Sequence, residues 1–351
     1  MDQKSKLEIL EKKKTEIAKK FGKEALIQGT NAISMNVEWW NLFNPKLAKL
    51  IGKGVPKGRI MEVYGPEGSG KTSIATLMMA AVQKQGGICA MIDAEHVFDL
   101  EYAEKLGLNI DSLLISQPDS GEQALGIVEE LIPACDFIVV DSVAALTPQA
   151  ELDGEMGDAH MGLQARLMGQ ALRKIKGICS DHKCSILFTN QIRHKIGVMF
   201  GSPETTPGGK ALKFYASVRL DIRKVELLGS ENNFFGQKVK IITKKNKVGP
   251  PFKKLELDLI FGEGFCPYSE YIDLAVEQKI VDKSGSWYSY GTERIGQGRA
   301  NCKKFFIDHD DIFQVIKKAV DHCIFPDKNI PVRSKKTLPN KSKAPVANNR
   351  N

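Results

Sequence analysis

The chain has 351 residues, of which 42% are hydrophobic, 26% charged and 7% aromatic. This composition places it among globular proteins able to bury a sizeable core, outside the disordered and fibrous classes. Its formal charge of +8 is concentrated at the ends: residues 326–351 hold seven Lys/Arg against one acid, residues 1–24 hold eight against five, and the remainder is close to neutral. A uniformly basic surface is excluded, so polyanion binding by the middle of the chain needs local clusters.

The longest apolar runs, such as 77–82 and 88–92, fall far short of the ~20 residues of a membrane span, so no membrane partner is expected. The start MDQKSKLEILEKKK has no apolar stretch after its charges, which argues against a secretory signal and for a cytoplasmic location. Seven cysteines form an odd set without a CxxC pair. They fit neither a disulfide framework nor a zinc site and are expected to remain thiols.

In chain order, residues 3–21 set Leu7, Leu10, Ile17 and Phe21 among lysines and glutamates, a helix with one narrow apolar stripe. That stripe packs either on its own domain or on a neighbouring subunit. From 59 to 190, short β-rich runs alternate with helical patterns: RIMEVY, ICAMID, SLLIS, DFIVVD and SILFTN, with helices to about 85, around 101, from 122 and from 162. This alternation predicts an α/β domain with a parallel sheet covered by helices. Segments 216–224, 238–243 and 255–260 alternate apolar and polar residues and are expected as antiparallel edge strands, making the sheet mixed but mainly parallel. From 268 the pattern changes to short helices (271–278 and 311–322) around the hairpin SWYSYG, a small α+β domain over 268–325. Residues 326–351 combine Pro, Asn, Ser and Lys with little apolar content, and a disordered basic tail is expected.

GPEGSGKT at 65–72 fits G-x-x-x-x-G-K-[ST] and sits between a strand and a helix, as a P-loop must. Gly65, Pro66, Glu67, Gly68, Ser69 and Gly70 form the loop, and its glycines let backbone N–H groups close around phosphates at the positive end of the helix dipole. Lys71 supplies a charge for the β- and γ-phosphates, and the Thr72 hydroxyl is a Mg²⁺ ligand. ATP and Mg²⁺ are thus the expected cofactors. Asp141 ends the strand DFIVVD and is the expected Walker B carboxylate for the metal. Glu95, just past the strand ICAMID, is either the base that polarises the attacking water or a surface loop carboxylate.

The runs GPEGSGKT, IDAEH, DSVAALTP (141–148), NQIRHKIGVMFGSPETTPGGKALKFYASVRLDIR (190–223) and KNKVGPPF (245–252) closely resemble the RecA family of bacterial recombinases over about 54–300. The resemblance implies a RecA-like P-loop NTPase core over 34–267, an N-terminal polymerisation helix within 1–33 and a small C-terminal domain. It further implies that Glu95 activates water, that Gln191 senses the γ-phosphate, and that Asp99, Tyr102 and Phe261 surround adenine. Lys245 and Lys247 would reach a neighbouring subunit's γ-phosphate, although KKNK alone also reads as a solvated charge run. Segments 155–162 and 192–210 match the family's two DNA-binding loops. Met161, Arg166, Arg173, Arg193, Lys195, Ile196, Gly208 and Gly209 are the residues so implied to contact DNA; Met161 by itself equally suits a core. Arg166 and Arg173 lie on one face of a helix, away from a stripe of Leu163, Leu167, Ala171 and Ile178.

The implied function is a DNA-dependent ATPase that forms helical homo-oligomers on single-stranded DNA, pairs and exchanges strands with double-stranded DNA, and promotes self-cleavage of an SOS repressor of the LexA type. Two alternatives stand beside it: a P-loop ATPase uncoupled from DNA, and a DNA-binding filament scaffold with impaired turnover. The chain departs from the family pattern at Pro207, Lys210 and His194 in the second loop, at Phe261 where Tyr is frequent, along 35–50, and in its basic rather than acidic tail.

Overall fold

A computed structural model describes residues 2–26, 37–155, 162–194, 197, 201 and 203–324. The chain divides into two compact units, 1–38 and 39–351. In the first, the helix Gln3–Phe21 is capped by Asp2, whose carboxylate accepts from the backbone N–H groups of Lys4 and Ser5, and it ends in Lys19 and Lys20, favourable for the helix dipole. None of its residues is buried, and Leu7, Leu10 and Phe21 are exposed.

The second unit is built on a nine-stranded sheet. Its strands, numbered in chain order, are β1 Ile60–Tyr64, β2 Cys89–Asp93, β3 Leu114–Ser116, β4 Phe137–Asp141 and β5 Ser185–Asn190, then β6 Val218–Ser230, β7 Asn233–Asn246, β8 Lys254–Ile260 and β9 Gly264–Phe265. They lie in the order β9-β8-β7-β6-β1-β5-β4-β2-β3, parallel from β6 to β3 and antiparallel from β6 to β9. The mixed, mainly parallel α/β architecture is therefore as expected, but none of the three expected edge segments is an edge: 238–243 lies in β7 and 255–260 in β8, each antiparallel to both its neighbours, and β9 is the edge on that side. The segment 216–224 is not an antiparallel edge: β6 lies inside the sheet, parallel to β1 on one side and antiparallel to β7 on the other. Its inner half, Val218–Ile222, is buried between both neighbours, whereas its outer half runs with β7 into an exposed hairpin.

Alternate residues of one strand feed opposite cores. In β4, Phe137 and Val139 join the helices Pro45–Ile51 and Lys71–Gln83 on one face, while Ile138 and Val140 join Gly121–Leu131 and Leu163–His182 on the other. Burial on both faces explains the continuous apolar runs of these strands. On Leu163–His182 the buried stripe is Met168, Leu172, Ile175 and Cys179, with Leu167, Ala171 and Ile178 only partly buried beside it. The expected stripe was thus rotated by about one position, because Met168 and Cys179 pack as apolar residues. Six of the seven cysteines are buried thiols; burial pushes Cys89 and Cys179 up to about 12, a state that suppresses thiolate chemistry. Among the described residues, no helix is long and apolar enough to cross a membrane.

Residues 267–324 form a third core around Tyr271, Phe306, Phe313 and Ile316. A three-stranded antiparallel sheet, Asp282–Ser284, Trp287–Tyr290 and Glu293–Gln297, packs with the helices Pro267–Glu277, Arg299–Asp308 and Asp310–Ile324. The helix Arg299–Asp308 was not expected from sequence; its buried face is only Cys302 and Phe306, one turn apart, too short a stripe to set a period. This layer meets the ATPase-like core along a polar seam. Lys46 pairs with Asp273 at 2.5 Å, Arg299 with Asp258 at 3.0 Å, and Asn44 Nδ2 donates to Glu270 Oε1 at 2.5 Å.

Glu270 is 2% exposed and its Oε2 has no hydrogen-bond partner among the described residues. Burial pushes its pKa up to about 8, opposed by Lys46 and the Asn44 hydrogen bond and reinforced by Asp273 and Asp258. Because the folded-state pKa lies above the unfolded one, the folded chain binds the extra proton between pH ~4.5 and ~8, and stability falls as pH rises through that window. Thermal unfolding should show a Tm that declines from pH 5 to 8. Glu270→Gln, neutral at every pH and able to keep the Asn44 contact, should flatten that decline and stabilise the protein at pH 8. An unchanged slope would assign the decline to other groups.

Candidate active site

Strand β1 runs directly into the loop 65–70, and the helix Lys71–Gln83 starts where the loop ends. Gly70 has φ +91°, in the left-handed region, and a Cβ there would lie 2.9 Å from Leu259 Cδ2; a Cβ on Gly65 would lie 2.2 Å from the Ile222 carbonyl oxygen. Gly68, with φ +65°, is left-handed as well, so glycine is required twice for conformation, at 68 and 70, and twice for close approach to β6 and β8, at 65 and 70. Pro66, Glu67 and Gly68 are exposed at the rim, whereas the buried Ser69 donates its hydroxyl to Pro66 O at 2.7 Å. Gln237 of β7 braces the loop by donating Nε2 to Gly68 O at 2.7 Å. Lys71 Nζ donates to Pro66 O at 2.8 Å and Gly65 O at 3.3 Å. Burial lowers its pKa, while Asp141, Glu95 and Glu67 act in the opposite sense, so its charge is held in a carboxylate-lined site.

Asp141 ends β4 with its side chain buried. Its Oδ2 accepts from Thr72 Oγ1 at 2.6 Å, and its Oδ1 accepts from Thr189 Oγ1 of the adjacent β5. Burial raises the Asp141 pKa; the two hydroxyl donors and Lys71 pull it back down. A hydroxyl and a carboxylate in contact at the mouth of a P-loop are hard oxygen donors of the type Mg²⁺ takes, so Thr72 and Asp141 fit that ion.

Glu95 follows β2 on a turn fastened by Asp93. The Asp93 carboxylate accepts from Val97 N at 3.3 Å, Phe98 N at 3.2 Å and Gln117 Nε2 at 2.9 Å. Glu95 Oε1 accepts from Ser142 Oγ and from Gln191 Nε2, the latter at 3.2 Å. Its surroundings are therefore those of a held, partly buried carboxylate. Gln191 directly follows β5, so its amide stands at the root of the segment 192–210. Lys71, Thr72, Asp141, Glu95 and Gln191 thus meet at the C-terminal ends of β1, β2, β4 and β5, where open α/β sheets bind ligands.

Asp99 caps the helix Leu100–Lys105 by accepting from Tyr102 N at 2.9 Å, and the Tyr102 hydroxyl lies 3.0 Å from Ser73 Oγ on the P-loop helix. Phe261, half exposed, sits in the turn between β8 and β9. Strand β9 after that turn abuts the other, C-terminal end of the helix Leu100–Lys105, since a Cβ on Gly264 would fall 2.0 Å from Leu106 Cδ2. Tyr102 therefore reaches the P-loop helix, Asp99 caps the helix that carries it, and Phe261 follows β8, whose Leu259 approaches Gly70.

Arg166 and Arg173 are exposed on Leu163–His182. Arg193 belongs to a two-residue strand paired with Glu204–Thr205, which closes the base of the second loop. Gly208 and Gly209 have φ +77° and +76° and come too close for a side chain to the turn Val143–Ala145 and to the helix Leu163–His182: a Cβ would lie 2.8 Å from Val143 Cγ1 and 2.7 Å from Ala165 Cβ respectively. Asn190 Nδ2 donates to Pro207 O at 3.2 Å, and Arg223 makes two bonds to Glu204 at 2.8 and 2.6 Å. The return limb of this loop is thus tied down at several points. Met161, Lys195 and Ile196 lie outside the described residues.

Lys245 and Lys247 do not join the other residues within one chain. Lys245 pairs in register with Arg219 and Arg219 with Glu62, so Lys245 stands level with the middle of β1 and Lys247, whose N–H donates to Ser217 O, toward its entry end, while the P-loop is at its exit. Lys245 Nζ donates to Lys213 O at 2.7 Å and Phe214 O at 2.9 Å, and its pKa is lowered by burial, then by Lys247 and Arg219. Ser142, Thr189, Asp93, Gln164 and Gln237 were missed from sequence. Thr189 and Asp93 had a readable signal, a polar residue at the carboxyl end of an apolar strand.

The family model of the RecA N-terminal domain matches residues 8–266, and that of the RecA C-terminal domain matches 269–324. Protein RecA of Treponema denticola is 56% identical over 328 residues, covering 92% of this chain and 79% of that protein. Protein RecA of Lactiplantibacillus pentosus is 53% identical over 307 residues, 87% of this chain and 81% of that one. Protein RecA of Geobacter sulfurreducens is 53% identical over 319 residues, 90% and 94% respectively. With both family models matched in tandem and a P-loop, an Asp141–Thr72 pair and a Glu95–Gln191 contact in one site, this chain belongs to the RecA family.

Proposed function

We propose that the protein is an ATP-dependent recombinase that assembles on single-stranded DNA, hydrolyses ATP when so bound, and exchanges strands with homologous duplex DNA. One observation carries the reading: the Glu95–Gln191 hydrogen bond of 3.2 Å joins the nucleotide end of the sheet to the first residue after β5, where the segment 192–210 begins. Loop 65–70 and Lys71 cradle the phosphates, and Asp99, Tyr102 and Phe261 flank the base. Thr72 and Asp141 hold Mg²⁺, which when bound neutralises charge on the phosphate oxygens. Glu95 accepts a proton from the attacking water, while Ser142 and Gln191 fix its carboxylate; Gln191 reports the phosphate state to the loop.

Arg166, Arg173 and Arg193, with Lys195 and the backbone of Gly208 and Gly209, contact DNA phosphates without reading sequence, and Met161 and Ile196 supply apolar contacts to bases. The segments 1–33, 34–267 and 268–325 serve as subunit contact, ATPase core and small C-terminal domain, followed by a basic tail. Promotion of SOS repressor self-cleavage belongs to the same reading through family membership. Phosphate release should rise on adding single-stranded DNA, with a salt-sensitive gain, and filaments should form under the same conditions. Filaments without any stimulation at low salt would refute the recombinase reading in favour of a scaffold, and equal turnover with and without DNA in the absence of filaments would favour an uncoupled ATPase.

A further inference from the structure

Gln164 is the second residue of the helix Leu163–His182, so it stands where the segment 155–162 ends. Its amide is saturated on both sides. Nε2 donates to Val143 O at 2.8 Å and to Leu146 O at 3.1 Å, and Oε1 accepts from Gly208 N at 3.1 Å. The two carbonyls belong to the short turn that directly follows Asp141 and Ser142, and Ser142 is the residue that donates to Glu95. Gly208 lies on the return limb of the segment 192–210. One planar side chain therefore touches three elements that are far apart in sequence: the turn behind the nucleotide site, the end of one loop and the end of the other.

The packing around it leaves no slack. A Cβ on Gly208 would come within 2.8 Å of Val143 Cγ1, and one on Gly209 within 2.7 Å of Ala165 Cβ, next to Gln164 in the chain. Val143 and Leu146 are themselves buried against β4 and β5 in the second core. A shift of the turn behind Ser142 must consequently move Gly208 or break its bond to Gln164, because close-packed contacts transmit displacement instead of absorbing it. The direct route from Glu95 through Gln191 enters the second loop at its start. Gln164 connects the same carboxylate, through Ser142, to that loop's end and to the first loop.

We propose that Gln164 is a positioning residue that couples the state of the nucleotide site to the stems of both loops. Its coupling to nucleotide is a property of the folded chain; the consequence for DNA-stimulated turnover rests on the recombinase reading above. The test uses the full-length protein and two readouts. The first is hydrogen exchange of the segment 203–212 with and without a non-hydrolysable ATP analogue and Mg²⁺, in the absence of DNA. Analogue binding should change exchange there about tenfold, within the range of ordinary coupling energies, and Gln164→Met should abolish the change while the affinity for the analogue stays within about threefold.

Gln164→Glu keeps the acceptor for Gly208 but faces a carboxylate against two carbonyls, so it should lose the response as well. The second readout is phosphate release: both variants should retain the basal rate and lose about tenfold of any DNA-stimulated rate. Should Gln164→Met fold poorly, Gly208→Ala attacks the junction from the other side, and the double variant should be no worse coupled than the worse single one. Additive losses, an unchanged exchange response in Gln164→Met, or no response in the unsubstituted protein despite analogue binding would each overturn the proposal. Analogue binding and a Gln164-dependent exchange response without DNA stimulation would refute the recombinase reading alone. No analogue binding by the unsubstituted protein would refute both.

Discussion

Glu95→Gln should reduce DNA-stimulated phosphate release by about 10²- to 10⁴-fold, the usual contribution of a positioned general base, while leaving ATP and single-stranded DNA binding nearly intact. The substitution is well matched to its surroundings. A glutamine at 95 has the size of the glutamate and can still accept from Ser142 Oγ and from Gln191 Nε2 through its carbonyl oxygen, so the contacts seen in the structure survive. What it cannot do is accept a proton from water. Binding and turnover should therefore separate: a fall in kcat with little change in apparent KM marks an interaction used only in the transition state. Turnover within tenfold of the unsubstituted protein would show that another group activates the water. A parallel loss of ATP binding would show instead that the charge of Glu95 holds the site together, acting with Asp141 to keep Lys71 charged.

Replacing both Lys245 and Lys247 by alanine should cost about 10³-fold in DNA-stimulated turnover, comparable to removal of an arginine finger, and the loss should be repairable in trans. Within one chain the lysines stand several residues along the sheet from the P-loop, at ~3.3 Å per residue, too far to serve their own site. Repair in trans would assign them to a neighbouring subunit's site. Mixing the double variant in equal amount with Lys71→Ala, each inactive alone, should restore activity toward about a quarter of the unsubstituted protein's level, because random assembly along a head-to-tail filament leaves that share of sites with both halves intact. No recovery in filaments that demonstrably contain both proteins would exclude action in trans. Lys245 also donates to the carbonyls of Lys213 and Phe214, so its removal carries a structural cost of about 1 kcal/mol. Lys247→Ala alone, with its exposed side chain, separates that cost from the catalytic one.

The +8 charge, at first sight a nucleic-acid signature, locates no site. The residues proposed to touch DNA and phosphate do so from particular loops, and most of the excess charge lies in 326–351, outside the described residues. The P-loop, the strand-final Asp141 and the alternation of strands with helices were legible in the sequence because each depends on residues close together in the chain. Glycine has a conformational reason at 70, an apolar strand buried on both faces must read as a continuous run, and a phosphate loop must join a strand to a helix.

The sheet order, the placement of β6 beside β1, and the meeting of Glu95 with Ser142 and Gln191 were decided only in three dimensions. Each of these joins strands separated by tens of residues, and local pattern does not encode which strand lies next to which. Gln164 illustrates the same limit at a single residue. In the chain it is one polar position in the first turn of an amphipathic helix; its three hydrogen bonds exist only because the fold brings 143–146 and 208 to it. The sequence by itself determined the elements, the phosphate loop and the family, since these rest on local conformation and short motifs. Tertiary structure decided which carboxylate is held beside the nucleotide end, how far along the sheet Lys245 and Lys247 stand from the P-loop, and how the loops are tied to the site, since those depend on packing between distant segments.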